Sequence, residues 1–183
     1  MALIFWLILG IVVVIVLFII GTFNSLISLK NRVDNAWSQI DVQLKRRYDL
    51  IPNLVSTVKG YMKHEKGTLT DITKLRSQLI TGNMEQKAKA SNMITDALKT
   101  IFAVAENYPD LKASENFKML QEELSGTESK ISYARQFYND NVMVLNNKIQ
   151  QFPSNMVANI MNLNQREFFR TEEGEKKAVK VEF

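Results

Sequence analysis

Few side chains of this sequence have the types and spacing that catalysis needs. His64 is the only histidine and the 183-residue chain has no cysteine. Multi-histidine and thiolate metal sites, disulfides and cysteine nucleophiles are therefore excluded. His64 and Glu65 fall at the end of a predicted helix, on its solvated side, which favours a surface histidine over a catalytic one. We predict no enzymatic activity and no catalytic residue.

The carboxylates Glu122, Glu123 and Glu128 are the best candidate for a metal-binding cluster. Metal-bearing helical bundles use Glu-x-x-His pairs on facing helices, and the sequence contains no such pair. A solvated charged helix face is the better interpretation. We predict neither a metal nor a cofactor.

The densest basic run is Lys45, Arg46 and Arg47. These residues either contact lipid headgroups or form ion pairs and keep the surface soluble. In an upright helix Arg46 would lie about 39 Å beyond Ile20, whereas screening acts over about 8 Å at physiological salt. Lipid contact would therefore require the helix to lie down or bend back. The net charge of +4 is spread among interleaved acids, so no nucleic-acid partner is predicted.

The chain begins with a predicted membrane anchor. Residues 3–20 carry no charged side chain and would rise about 27 Å as a helix, close to the roughly 30 Å of bilayer hydrocarbon. A cleaved signal peptide would need a positive leading segment and a cleavage sequence, and neither is present. The predicted membrane-spanning positions, whose contacts would be with lipids, include Leu3, Trp6, Gly10, Val14, Phe18 and Ile20.

Positive charges indicate the orientation of this anchor. No Lys or Arg precedes it, whereas Lys30 and Arg32 follow it closely. Positive residues accumulate on the cytoplasmic side of membrane helices. We therefore expect the N-terminus outside and the remainder of the chain in the cytoplasm.

Apolar residues then recur every three or four positions from Leu26 to Met62, which predicts one helix continuing out of the anchor. Pro52 lies within this pattern and predicts a kink or break near residues 48–51. A turn with Gly82 at the C′ position, and a second turn at residues 107–110, separate the helices that follow.

The longest later pattern begins at Ser114, a predicted N-cap. Its predicted core positions are Phe117, Leu120, Leu124, Thr127, Ile131, Ala134, Tyr138, Val142, Leu145, Ile149 and Phe152. Gly126 lies inside this helix, so either another group approaches closely or the helix bends. Pro153 ends it. Ser154 is predicted to cap a short last helix whose apolar positions are Val157, Ile160, Met161 and Phe168.

The predicted fold class is all-α: an N-terminal transmembrane helix continuous with an antiparallel bundle of three to four long, coiled-coil-like helices. The predicted divisions are an anchor over residues 1–22, a helical bundle over 23–170 and a charged, flexible tail over 171–183. Trp37, Tyr48, Phe137 and Tyr138 are predicted to be core or subunit-interface residues. Phe137 and Tyr138 are adjacent and cannot share one narrow stripe, which indicates a second packing surface.

Two long stretches resemble the LemA family. They are LKNRVDNAWSQIDVQLKRRYDLIPNLVSTVKGYMKHE, residues 29–65, and residues 106–155, which include ENYPDLKASENF, LQEELSGTESKISYARQFYNDNV and QQFPSN. With the anchor and the ending KVEF, the resemblance covers almost the whole chain. It implies a bacterial, single-pass, helical protein of the inner membrane, and it implies no catalytic residues.

The leading hypothesis is a non-enzymatic scaffold whose parallel protomers assemble side by side through the helices that leave the membrane. The expected partner is therefore a second copy of the chain. An adaptor that recruits another membrane protein, such as a protease or transporter, is the second hypothesis. Membrane remodelling through the basic run is the third.

Overall fold

A computed structural model describes residues 1–61 and 66–169, and this part of the chain is helical without any strand. The helices are α1 (Ala2–Lys59), α2 (Lys66–Thr81), α3 (Met84–Ala105), α4 (Pro109–Ala113), α5 (Glu115–Gln150) and α6 (Ser154–Ile160). The predicted all-helical class is confirmed. The predictions for His64, Glu65 and the tail over 171–183 concern residues outside the described ranges.

Helix α1 continues without a break from the apolar N-terminus into the first helix of the folded part. Its segment 3–20 is entirely exposed, and the helix is long and apolar enough to cross a membrane. Of the kink or break predicted near Pro52, the break is wrong, because α1 extends to Lys59. The lost backbone bond is replaced: the carbonyl of Tyr48, four residues before Pro52, accepts a hydrogen bond of 2.8 Å from Arg76 Nε.

The chain divides into two compact units. Unit 1 comprises residues 1–37 and 137–168, and unit 2 comprises residues 38–136 together with the segment from Phe169. Two of the three divisions fall within helices, because α1 and α5 each contribute to both units, and the third lies after α6. The predicted boundaries at residues 22 and 170 stay predictions.

In unit 1 the first part of α1 packs against the end of α5. Trp37 and Tyr138 meet edge to face, with ring centroids 5.6 Å apart. Arg166, in the segment after α6, donates its backbone N–H to Asn146 Oδ1 (2.9 Å) and its side chain to Asp34 (3.2 Å). Buried apolar residues of this unit are Leu26, Val33, Ala36, Tyr138, Val142, Leu145, Ile149, Val157 and Ala158.

In unit 2, α2 and α3 pack against each other across the turn at Gly82. A Cβ at Gly82 would lie 2.6 Å from the Gln78 carbonyl oxygen, so the turn needs glycine for its close approach. The predicted turn lies at Gly82, just after α2, but no described glycine has a positive φ, so Gly82 does not take the left-handed conformation common at helix C-termini. Asn83 and Gln86 form a capping box that begins α3.

The end of the chain differs from the predicted pattern. Phe152 was predicted to be a core residue but is 80% exposed, and Ile160 is 77% exposed. Ser154 is the first residue of α6 rather than its cap, and its Oγ donates to the carbonyls of Lys148 and Gln151. Helix α6 ends at Ile160, so Phe168 lies outside it. The chain turns after α5, so Phe152 and Ile160 do not extend the apolar stripe of that helix.

Candidate functional site

A polar cluster inside unit 2 is the most distinctive arrangement of charged groups. It is built around Arg47, whose side chain on α1 is 0% exposed. Arg47 Nη1 donates to the Ser91 carbonyl oxygen (3.1 Å), to Ser91 Oγ (3.1 Å) and to Thr95 Oγ1 (3.2 Å) on α3. One guanidinium group on α1 therefore joins one turn of α3 by several hydrogen bonds.

Glu128 on α5 supplies the opposite charge in this cluster. Its Oε2 forms an ion pair with Arg47 Nη2 and accepts a hydrogen bond of 2.9 Å from Thr95 Oγ1. The Glu128 side chain is 33% exposed, so its carboxylate keeps some contact with solvent. The cluster therefore connects α1, α3 and α5 through one cation and one carboxylate.

Burial and the neighbouring cation Arg135 lower the pKa of Arg47 to about 9. Arg47 therefore remains charged at neutral pH. Arg135 is itself buried, with its guanidinium carbon 4.7 Å from the centre of the Phe169 ring. A charged arginine held by hydrogen bonds offers neither a general base nor a nucleophile. What the cluster can do is position three helices.

The three residues of the predicted basic run have different surroundings. Lys45 pairs with Asp49 at 2.5 Å and Arg46 with Glu123 at 2.5 Å, and all four of these side chains are about half exposed. Arg47 is enclosed in the cluster. Of the run, only Lys45 and Arg46 therefore reach the surface, and each already contacts a carboxylate of the same chain.

The four aromatic residues predicted for the core or an interface also differ. Tyr138 is fully buried and Trp37 is partly buried against it. Tyr48 is partly buried beneath Arg76, whose guanidinium carbon lies 3.7 Å from the ring centre. Phe137 is 50% exposed. The adjacent side chains of Phe137 and Tyr138 therefore have different surroundings.

Helix α5 carries an exposed line of residues at heptad spacing within unit 2: Met119, Gly126 and Tyr133. Tyr133 is 74% exposed and Met119 is 59% exposed. Apart from its chain neighbours and the adjacent backbone of α5, no atom of the described chain lies within 4 Å of a Cβ built at Gly126. Of the two alternatives predicted for Gly126, a close approach or a bend of the helix, the close approach is therefore not made by this part of the protomer.

Sequence analysis did not identify the cluster around Arg47. The signal was available, since Arg47 follows Leu44 by three residues and precedes Ile51 by four, which places it on the buried stripe of α1. Its position inside a run of three basic residues favoured a solvated interpretation. For residues 1–61 and 66–169, no group of three His, Cys, Asp or Glu side chains could hold a metal ion.

Comparisons with known proteins agree with the family resemblance that the sequence shows. The family model described as LemA family matches residues 36–183. The curated Protein LemA of Metamycoplasma hominis is 32% identical over 163 residues, which cover 86% of this chain and 73% of that protein. Both matches include the α1 segment that carries Arg47 and the whole of α5.

Proposed function

The chain belongs to the LemA family, and we propose that it is a membrane-anchored, non-enzymatic scaffold that assembles with copies of itself through its helices. The observation that supports this proposal most directly is the exposed line Met119, Gly126 and Tyr133 on α5. The cluster around Arg47 supports a non-catalytic role, because its polar groups hold helices together.

The anchor gives copies of the chain a common direction. Helix α1 has no break between the apolar segment 3–20 and Lys59. Copies inserted in one membrane would therefore start their first folded helices parallel. Such alignment reduces the free-energy cost of losing rotational freedom when the copies associate.

The exposed line on α5 has the properties of a helix-packing surface. Two large side chains, Met119 and Tyr133, flank a glycine at intervals of seven residues, the spacing that keeps positions on one side of a packed helix. A glycine within a helix costs about 1 kcal/mol relative to alanine. A neighbouring helix from a second copy would approach closely at Gly126 and offset that cost.

Introducing bulk at Gly126 tests the proposal. Gly126 is exposed, and a Cβ there would meet nothing within 4 Å apart from its chain neighbours and the adjacent backbone of its own helix, so Gly126→Leu should fold and its helix should be slightly more stable. We expect light scattering of the detergent-solubilised wild type to give a multiple of the 21.0 kDa protomer mass, and a smaller species for Gly126→Leu. Ser125→Leu adds the same bulk at the next exposed position and should assemble normally. A monomeric wild type, or equal assembly of all three proteins, would contradict the proposal.

The proposed location is the bacterial inner membrane, with the bundle in the cytoplasm. Lys30 and Arg32 support this orientation. Since the chain has no cysteine, a single cysteine at Lys99, an exposed residue of α3, reports the side on which the bundle lies. A membrane-impermeant maleimide should label it only after the cells are opened. Labelling in intact cells would indicate the opposite orientation, with the bundle outside the cytoplasm.

An adaptor for another membrane protein uses the same exposed surfaces. Photocrosslinking from Tyr133 distinguishes the two functions, because a scaffold should give products between identical chains. Products that contain only a different membrane protein would favour the adaptor. Membrane remodelling has less support, since Arg47 is enclosed and Lys45 and Arg46 are paired.

A further inference from the structure

Three large apolar side chains at the end of unit 1 are exposed and lie four residues apart. Phe152 is 80% exposed, Met156 is 59% exposed and Ile160 is 77% exposed. We call these three residues the tip face. The other side of α6 is buried through Val157 and Ala158. Both sides of α6 therefore carry apolar residues, and one side is left uncovered by the described part of the chain.

Two sets of contacts show which part of α1 lies beside the end of α5, where the tip face begins. Trp37 contacts Tyr138, and Arg166 joins Asn146 to Asp34. Moving from Trp37 to Asp34 therefore corresponds to moving from Tyr138 towards Asn146, so the two helices are antiparallel in unit 1. Phe152 lies fourteen residues beyond Tyr138, and fourteen residues before Trp37 is Phe23.

This register brings Phe152, the tip-face residue that follows α5, close to the end of the anchor. Phe23 is three residues beyond Ile20, or about 4.5 Å along the helix. The burial of two residues of α1 independently supports this position along the helix. Thr22 is only 5% exposed and Leu26 is 0% exposed, and the rest of unit 1 that can cover them is residues 137–168.

The composition at this level suits a membrane surface. The segment 149–165 contains no charged residue, and α1 contains none before Lys30. The polar headgroup layer adds about 5–8 Å on each side of the hydrocarbon. An anchor whose apolar segment ends at Ile20 would therefore place both Phe23 and Phe152 within that layer. Amphipathic helices that lie in this layer bury their apolar side at the headgroup–acyl boundary.

We propose that the tip face rests in the headgroup layer of the bilayer that the anchor crosses, so that each protomer contacts the membrane at two places. The occupant of this apolar face is lipid, because the face is continuous with the point where α1 leaves the membrane. The inference rests on the membrane anchoring in the proposed function and is independent of self-assembly.

The absence of cysteine from the chain allows a test on the full-length protein. Single cysteines at Phe152 and Ile160 are labelled with an environment-sensitive fluorophore, and the protein is reconstituted into phosphatidylcholine vesicles. Quenching by aqueous iodide is compared with quenching by brominated phosphatidylcholine. Phe137→Cys is the control for an exposed apolar site about 22 Å further along α5, and Val14→Cys reports insertion of the anchor.

We expect the labels at Phe152 and Ile160 to be quenched several-fold less by iodide than the label at Phe137, and to be quenched by the brominated lipid. Equal iodide quenching at Phe152, Ile160 and Phe137, with Val14 reached by lipid, would overturn this inference alone. Protection from both quenchers would also overturn it, since protein would then cover the tip face. Iodide quenching at Val14 would contradict the membrane anchor itself.

Discussion

Arg76 Nε donates a hydrogen bond of 2.8 Å to the carbonyl oxygen of Tyr48, the acceptor that Pro52 leaves without a donor inside α1. The same guanidinium lies 3.7 Å from the centre of the Tyr48 ring. Both contacts come from α2 to a single residue of α1. An arginine of the second helix thus compensates for a proline of the first.

Removing Arg76 should be costly only while Pro52 is present. Arg76→Met leaves the Tyr48 carbonyl without its donor and should lower the free energy of unfolding by about 2 kcal/mol. In a Pro52→Ala background, residue 52 donates to that carbonyl and the same substitution should cost less. Urea unfolding of the four proteins in detergent measures this coupling. Lys74→Met, an exposed change on α2, is the control. Equal costs in both backgrounds would contradict the compensation.

Neutralising Glu128 should be more damaging than removing the entire ion pair. Glu128→Gln leaves the charge of Arg47 buried without its carboxylate and should cost about 3 kcal/mol. The double variant Arg47→Met, Glu128→Gln should be more stable than Glu128→Gln alone, because the unpaired charge of Arg47 is then removed together with its partner. Chemical denaturation provides the comparison.

The pair of Arg46 and Glu123 supplies the control for that experiment. Its side chains are about half exposed, so Glu123→Gln should change stability by less than about 1 kcal/mol. A similar cost for both glutamine variants would mean that burial of Arg47 does not set the energetics of the cluster.

Stability in alkaline solution should depend on Tyr138. Burial raises the pKa of Tyr138 above its ordinary value of 10.0, with Arg166 lowering that pKa and Asp34 and Glu167 raising it. Above pH 10 the unfolded phenol ionises while the folded one stays protonated. The folded state then binds more protons, so the free energy of unfolding falls as the pH rises.

Tyr138→Phe should flatten this alkaline decline. It should also cost about 1 kcal/mol at neutral pH, because the hydroxyl donates to the Glu167 carbonyl at 2.9 Å. Denaturation midpoints between neutral pH and pH 11 measure the slope. An unchanged slope in the variant would show that Tyr138 is not the group responsible.

Gly82 should tolerate no side chain. Gly82→Ala would place a Cβ 2.6 Å from the Gln78 carbonyl oxygen and 2.9 Å from Gln86 Cβ, which should destabilise the α2–α3 turn by about 1–3 kcal/mol. Gly67→Ala meets nothing within 4 Å and should leave the thermal midpoint unchanged or slightly higher. Equal midpoints for the two variants would rule out crowding at the turn.

Periodicity predicted most of the helical core because buried faces repeat every three or four residues. It correctly identified Val142 and Leu145, which are buried. It was wrong for Phe152, because the chain turns at that point and no longer follows the period of α5. Local patterns do not show where a helix leaves the core.

Two polar features could not be predicted from the pattern of a single helix. The burial of Arg47 depends on Ser91 and Thr95, more than forty residues away in sequence. The continuity of α1 at Pro52 depends on Arg76. By contrast, the capping box of Asn83 and Gln86 is a local signal that sequence analysis overlooked.

The hydrogen bond between Arg76 and Tyr48 also has a consequence for the order of synthesis. Arg76 follows Pro52 by 24 residues, which a ribosome adds in about 1–5 s at typical elongation rates. During that interval the Tyr48 carbonyl lacks the donor that Arg76 provides in the folded chain. The Tyr48 carbonyl of the helix that begins with the anchor therefore obtains its Arg76 donor only after most of the next helix has been translated.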